Sequence, residues 1–527
     1  LDKKKLFAEE IIRLIEANEI KNSRELNSKK IALCKKFSLS ELPSNPDILL
    51  FAEKQSNRLL KILRVKPTRT LSGVAVVALM PLPYKCPGKC IYCPNSLLPE
   101  KETPKSYTGK EPATMRAVNM NFSAKKQILN RLKSLKETGH DTTKIELIVM
   151  GGTFPAMPFS RQKKFMLSAL NAIAQKNAGT IEKARKNAEH SEKRVVGITF
   201  ETRPDYCSER EISRMLFFGG TRTELGIQNP DDRIYMLIER GHSVKDVVNA
   251  TRLLKDSAFK VTYHFMPGLP GSSPKKDLSA IKKIFSNPDF KPDSLKIYPC
   301  LVIKGTKLFE LWKKGEFSPL KTEEAVKLVS KIKESVPRHV RIMRVQRDIP
   351  HNLVDAGVLK TNLRQMVSEE MEKHGKKCMC IRCREAGLLS LHKNIEEGLE
   401  SAKIFVDSYS ASNGKEFFIS LEDKKRSVLY GFTRLRIPFR PFRKELLKKT
   451  ALIRELHVFG KALPLSSSSF ESFQHRGIGK TLLEKAEEIA SKDFGSKKLA
   501  VIAGLGARPY YYALGFSPDN FFVSKKL

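Results

Sequence analysis

Three thiols carry the first chemistry in this chain. Cys86-Pro-Gly-Lys-Cys90-Ile-Tyr-Cys93 has the spacing C-x3-C-x2-C and follows the apolar run Val74 to Met80. Cys thiolates are the usual ligands of iron–sulfur clusters. Three of them leave one iron of a 4Fe–4S cluster open, so that a substrate or cosubstrate can chelate it. The alternative is a zinc knuckle, which wants a fourth Cys or His close by. No His lies between Lys85 and Gly139. Spacing and position therefore favour a cluster of the radical S-adenosylmethionine (SAM) type over zinc.

A second trio, Cys378-Met-Cys380-Ile-Arg-Cys383, has His374 four residues upstream. These four groups suit a tetrahedral zinc site. The alternatives are a redox-inert reduced thiol cluster, or a fourth ligand from His392 or another thiol. A third signal is Gln474-His475-Arg476-Gly477-Ile478-Gly479-Lys480, ahead of Ile478, Leu482, Leu483, Ala486 and Ile489 at helical spacing. A glycine-bearing turn that opens a helix offers free N–H groups to a pyrophosphate. A coenzyme A site is the expectation, although chance matches to such turns are common.

The elements that must hold these groups follow from periodicity. Residues 1–65 read as a helical, basic segment with an apolar stripe of Leu6, Ile11, Leu14 and Ile15, and Ser44-Asn45-Pro46 reads as a turn. Strands are expected at 73–80, 145–150, 195–201, 223–228, 260–266 and 294–298, with helices such as 121–137, 160–176, 207–217 and 244–257 between them. Six βα units in series predict an α/β fold with a partial parallel (β/α)6 barrel over 66–320. Chemistry in such barrels gathers at the C-terminal strand ends. There the chain places the first Cys trio, Gly151-Gly152-Thr153, Glu201 and Arg203, Gln228, and Lys296 with Tyr298. Glu201 and Arg203 have a bland reading too, as a structural ion pair, and Lys296 and Tyr298 as core or surface residues. Residues 321–400 read as a helical linker that carries the second trio. From 401 to 527, runs at 402–409, 417–421, 428–437 and 452–458 predict antiparallel strands in a mixed α+β domain.

Composition bounds the function. Among 527 residues, 96 Lys and Arg face 57 Asp and Glu, a net charge of +39. An excess of this size points to a polyanionic partner, most plainly nucleic acid. No apolar run approaches the ~20 residues of a membrane helix. Six of the nine Cys fall in two trios, as metal ligands do, with singles at Cys34, Cys207 and Cys300, and the cytoplasm is the expected compartment.

Residues 66–527 resemble the Elongator catalytic-subunit family, a radical SAM domain fused to a domain like the GNAT acetyltransferases. The resemblance rests on Lys66-Pro-Thr-Arg-Thr70-Leu-Ser-Gly73, Ser106-Tyr-Thr-Gly109, Met150-Gly-Gly-Thr-Phe154 and Phe200-Glu-Thr-Arg-Pro-Asp-Tyr-Cys207. It continues through Glu224-Leu-Gly-Ile-Gln228, Arg240-Gly-His242, His264-Phe-Met-Pro-Gly-Leu-Pro-Gly271 and Arg347-Asp-Ile-Pro350. Its last blocks are Arg454-Glu-Leu-His-Val458, Phe473-Gln-His475 and Arg508-Pro-Tyr-Tyr511. The sequence departs from many relatives at Pro94-Asn95-Ser96, after the third cluster thiol, and at Pro509.

The resemblance implies carboxymethylation of carbon 5 of the tRNA wobble uridine, using acetyl-CoA and SAM. Cys86, Cys90 and Cys93 would then ligate the 4Fe–4S cluster. Lys144, Glu455, Leu456, His457, Val458, Phe473, Gln474, His475 and Tyr511 would meet acetyl-CoA, with Tyr510 and Tyr511 at the reacting end. A SAM-derived radical would remove hydrogen from the acetyl methyl group, and the carbon radical would add to the uracil. The implied partners are the tRNA anticodon stem-loop, an electron donor, and Elongator-type subunits or further copies of the chain. Two rivals remain at this stage: a protein lysine acetyltransferase using the C-terminal domain alone, and a non-catalytic tRNA-binding scaffold.

Overall fold

The computed structural model describes residues 2–66, 70–94, 103–391, 395–447, 449–459 and 477–527. Four helices open the chain: α1 (Lys3–Glu16), α2 (Ser23–Lys36), α3 (Asn45–Leu50) and α4 (Asn57–Leu63). Phe7, Ile11, Leu14 and Ile15 share one face of α1, where they bury against Leu26, Ile48 and Leu59. Leu6, expected in that stripe, is only half-buried, and Phe7 takes its place. Asn45 and Pro46, read as a turn, begin α3 instead. Ser44 and Asp47 cap it reciprocally, and Pro46 sits in the first turn, where a missing N–H costs nothing.

The centre is a seven-stranded parallel sheet in sequence order: β1 (Ala75–Leu79), β2 (Lys144–Val149), β3 (Arg194–Thr202), β4 (Arg222–Gln228), β5 (Lys260–Phe265), β6 (Ser294–Ile297) and β7 (Arg341–Arg344). Parallel neighbours need crossover connections, supplied by helices such as Ala124–Glu137, Phe159–Ala174, Val244–Asp256 and Pro274–Ser286. Leu79, Val149, Ile198, Phe200, Leu225 and Val261 bury between strands and helices. Strands β1 and β7 are the two edges, so the sheet is a barrel left open along one side. The six expected strands are all present. The seventh, Arg-Ile-Met-Arg, went unread because only Ile342 in it is buried.

A second sheet follows: β8 (Lys403–Ala411), β9 (Gly414–Glu422), β10 (Leu429–Ile437), β11 (Thr450–Val458), β12 (Lys498–Val501), β13 (Ser517–Asp519) and β14 (Phe522–Lys526), in the order β13-β14-β12-β11-β10-β9-β8. Its pairings are antiparallel except for β11 with β12. That parallel register runs only from Thr450 to Ile453, so Arg454–Val458 extends past β12.

This sheet packs under the N-terminal ends of the barrel strands. A Cβ on Gly504 would lie 2.2 Å from the Val196 carbonyl oxygen, so only glycine permits that approach. Beside it lies a buried ion network. Arg454 holds Asp293 at 2.5 Å, Arg436 holds Asp256 at 2.6 Å and Glu416 at 2.9 Å, and Lys255 lies 3.4 Å from Glu416. Removing one member of such a pair strands a buried charge, at a cost of about 3–5 kcal/mol.

Candidate active site

The opposite, C-terminal ends of the barrel strands surround a cavity of about 590 Å³. Of the residues singled out by sequence, it gathers Cys86, Cys90, Cys93, Gly152, Glu201, Arg203, Gln228, Lys296 and Tyr298 along its wall. Gly151 and Gly152 have φ of 113° and 64°, left-handed values that carry the chain around the rim past Cys86. Thr153 is buried, its hydroxyl 3.8 Å from the Cys86 sulfur.

The thiol loop is tied to the barrel by backbone and charge. The Ile91 amide donates to the Ile238 carbonyl at 3.1 Å, and the Ser106 amide donates to the Cys93 sulfur at 3.3 Å. Arg240 donates through Nη1 to the Cys90 sulfur at 3.2 Å and through Nη2 to the Gly226 carbonyl at 2.5 Å. Burial opposes the Cys90 thiolate, but Arg240 and then Arg203 outweigh it and hold the thiol below its ordinary pKa. A thiolate is the form that ligates metal.

Arg203 pairs with Asp205 through two 2.9 Å bonds, so the alternative reading of Glu201 and Arg203 as an ion pair does not hold. Glu201 instead accepts from the Tyr107 hydroxyl at 2.7 Å and lies 3.7 Å from the Lys296 ammonium. Lys296 is ion-paired with Glu224, whose carboxylate also meets His264 Nε2 at 2.8 Å. Burial raises the Glu224 pKa, but Lys296 and His264 overcome that and keep it far below the usual carboxylate range. Lys296 is correspondingly raised: burial opposes its charge, and Glu224 more than offsets the penalty. His264 also meets the Tyr298 ring edge-on at 5.4 Å.

Glu224, Arg240 and the full role of His264 were not singled out as site residues. The signal is alternation: Glu224 and Gly226 share one face of β4 with the rim residue Gln228. The cavity keeps buried polar atoms that have no protein partner, namely Arg203 Nη1, Gln228 Oε1 and Arg240 Nε. Three thiols under two guanidiniums, beside unsatisfied donors and an acceptor, fit an anionic cluster and a polar ligand that chelates it.

The acyl-side candidates lie at the other end of the strands. Glu455 is ion-paired with Lys260 and with Arg434 at 2.9 Å. Burial alone would raise its pKa, yet Lys260 and Arg434 hold it far below the carboxylate range. His457, with Phe459 at 4.4 Å and Phe432 at 6.1 Å between ring centres, is pushed by burial to a pKa of about 3. Leu456 and Tyr510 converge on Gly479: a Cβ there would meet the Tyr510 hydroxyl at 2.5 Å and Leu456 at 3.7 Å. Gly477 (φ 75°) opens the helix Ile478–Glu488, and Tyr511 is buried with its ring edge-on to Phe516. Val458 ends β11. Lys144 begins β2 at this same end, and burial and Arg194 lower its pKa. Phe473, Gln474, His475 and Arg476 lie outside the described residues.

The second trio converges. The sulfurs of Cys378, Cys380 and Cys383 lie within 4.8 Å of one another. His374 is elsewhere: its ring is exposed, with Nε2 3.3 Å from Glu370.

Comparison with known proteins agrees along the whole chain. Residues 4–71 match the ELP3 N-terminal domain, 80–283 the Radical SAM superfamily, 292–373 the Radical_SAM C-terminal domain and 395–516 the Acetyltransferase (GNAT) family. A tRNA uridine(34) acetyltransferase of Methanocaldococcus jannaschii is 49% identical over 92% of this chain and 90% of its own length. The human Elongator complex protein 3 is 40% identical over 98% of this chain and 96% of its own. The solved structure of Methanocaldococcus infernus Elp3, lacking its N-terminus, superposes with a TM-score of 0.77 at 45% identity, covering 86% of this chain and 100% of that one. A radical SAM domain implies SAM and a 4Fe–4S cluster, and a GNAT domain implies acetyl-CoA. No helix among the described residues is long and apolar enough to cross a membrane.

Proposed function

This chain belongs to the Elongator complex protein 3 family, and we propose that it carboxymethylates carbon 5 of tRNA uridine 34, taking the two-carbon unit from acetyl-CoA. The observation that carries this reading is the pairing of two sites on one set of strands. Three thiols line a cavity at the C-terminal ends, and the acyl-side strand β11 lies against the N-terminal ends. A lysine acetyltransferase would have no use for the first, and a scaffold no use for either.

Cys86, Cys90 and Cys93 would hold the cluster, and Arg203 and Gln228 have the free polar atoms to orient SAM. Bound together, cluster and SAM supply a one-electron route to hydrogen abstraction, which a weakly acidic methyl group requires. The protein's share is placement. Glu224 and His264 fix Lys296 in the cavity wall, and Tyr107 fixes Glu201 opposite. A charged ammonium there suits the uracil carbonyl or the acyl oxygen. The anticodon loop is already single-stranded, so splaying out one base costs less than the few kcal/mol of duplex flipping. The net charge of +39 suits its phosphates. The same reading calls for an external one-electron donor and leaves room for Elongator-type partners. It assigns the second trio to a single zinc ion, because Zn–S bonds near 2.3 Å bring sulfurs about this close.

The test is anaerobic incubation of the reconstituted, reduced protein with SAM, tRNA and acetyl-CoA. 5′-Deoxyadenosine is expected to form with tRNA present. Acetyl transfer to lysine that proceeds equally well without SAM would favour the acetyltransferase instead.

A further inference from the structure

Between the two sites, the inner face of the barrel carries a file of polar and charged groups whose middle members, Arg222 and Glu146, neither site accounts for. Glu224, Gly226 and Gln228 of β4 line the cavity, and Arg222 shares their face one layer lower. Arg222 is ion-paired with Glu146 of β2, whose Oε1 also accepts from the Thr199 hydroxyl at 3.3 Å. Beside Arg222 in register stands Lys260 of β5, the partner of Glu455. Two residues further along β11, on the same face as Glu455, is His457.

The cavity reaches down to this level. Its wall runs along the edge strand β1 through Ala78 to Val76, which pairs in register with Glu146. Although they sit inside the barrel with a second sheet beneath, the Arg222 and Glu146 side chains keep 19% and 16% of their surface exposed, so there is open space around them. One side of that space carries the ion pairs of Arg222 with Glu146 and Lys260 with Glu455, and the other, Val76, Ala78 and Ile148, is aliphatic.

We propose that the lumen of this half-barrel is the passage by which the two-carbon acyl unit crosses from the β11 side to the thiol cavity. Arg222 and Lys260 meet its oxygen, and Val76, Ala78 and Ile148 meet its methyl group. An acyl unit has one apolar carbon and one oxygen-bearing carbon, so a passage with two unlike walls orients it as it moves. Glu146 and Glu455 balance the cations, which keeps an anion from being trapped on the way. The inference rests on the function proposed above. It covers acetate and a thioester arm alike, because both present the same methyl and carbonyl oxygen.

Two variants test it, one by charge and one by bulk. Arg222→Met alone would leave the half-buried Glu146 without its partner, so the double variant Arg222→Met/Glu146→Leu is used. Val76→Trp fills the lumen from the edge strand. Wild type must first incorporate label from [13C2]acetyl-CoA into uridine; if it does not, the function proposed above fails, whatever the variants do. Given that, both variants are expected to bind acetyl-CoA within about twofold of wild type, and the double variant to bind SAM likewise, while labelled uridine falls at least tenfold and 5′-deoxyadenosine falls with it, because the acetyl methyl group is its hydrogen donor. Saturation-transfer NMR on the oxidised holoprotein should detect [2-13C]acetate with wild type and lose it with the double variant. A parallel reaction given labelled acetate and unlabelled acetyl-CoA tells free acetate from a thioester arm. Near-wild-type labelling in either variant, or a loss of label matched by an equal loss of acetyl-CoA or SAM binding in the double variant, would overturn the passage and leave the function proposed above intact.

Discussion

The two cysteine trios use the same ligand atoms in opposite settings. Cys86, Cys90 and Cys93 stand along the wall of a cavity, with Arg240 on one sulfur and unsatisfied polar atoms nearby. Cys378, Cys380 and Cys383 close on one another, with their charge shared internally. Hydrogen bonds from Cys378 and Cys383 hold the Cys380 thiol well below its ordinary pKa, and the other two are raised. The difference teaches that spacing identifies a ligand set, whereas enclosure decides its use. Thiols beside a void suit a cofactor with a free coordination site; thiols that face each other suit a structural ion.

The largest effect should separate the trios outright. Cys90→Ala is expected to lower 5′-deoxyadenosine and modified uridine by at least about 100-fold while acetyl-CoA binding, read by calorimetry, persists. A Cys90→Ala protein that still cleaves SAM would erase the distinction. Next comes the pair that forms the cavity wall. Lys296→Met strands Glu224 and should cost about 3–5 kcal/mol in denaturant unfolding. Adding Glu224→Gln should return much of that stability and none of the modification. If the double variant recovers activity, Lys296 is scaffolding only.

Cys380→Ala sharpens the contrast from the other side. Metal analysis should show loss of bound zinc, and thermal unfolding a lower midpoint, with SAM cleavage per folded molecule within about threefold of wild type. Equal loss of SAM cleavage would place the second trio in the chemistry.

The smallest effect is on pH. His242, edge-on to the Tyr235 ring, is pushed to about 2 by burial and by Arg240 and Arg203, and His457 to about 3 by burial. Both are neutral in the folded chain and take up a proton when it unfolds. Stability therefore falls as pH drops below the usual histidine value of about 6.5, by roughly 1 kcal/mol per residue over the first unit. Urea midpoints from pH 7.5 to 5.5 should show the slope, and His242→Asn should reduce it.

Much of the barrel was legible because its strands are apolar runs that end in polar residues, so Gln228 and Lys296 marked the rim themselves. β7 was not, since a strand with one buried residue carries no hydrophobic signal. Arg240 stood in a quoted block, but nothing in Arg-Gly-His says that its guanidinium reaches a sulfur 150 residues away in sequence. Glu201 and Arg203 are two apart on a strand and were weighed as partners. The backbone turns after Thr202, so Arg203 finds Asp205 and Glu201 finds Tyr107. His374 stands four residues before Cys378 in sequence, whereas one helical turn aims it at Glu370.

One chain that joins thiol chemistry to acyl chemistry on a single base makes a direct demand on the product. Nucleoside mass spectrometry after an anaerobic reaction with SAM, tRNA and [13C2]acetyl-CoA should find uridine 34 heavier by a carboxymethyl group carrying both labelled carbons. That product should vanish when SAM or acetyl-CoA is left out. Unlabelled uridine from active protein, or label that enters equally well without SAM, would contradict the account.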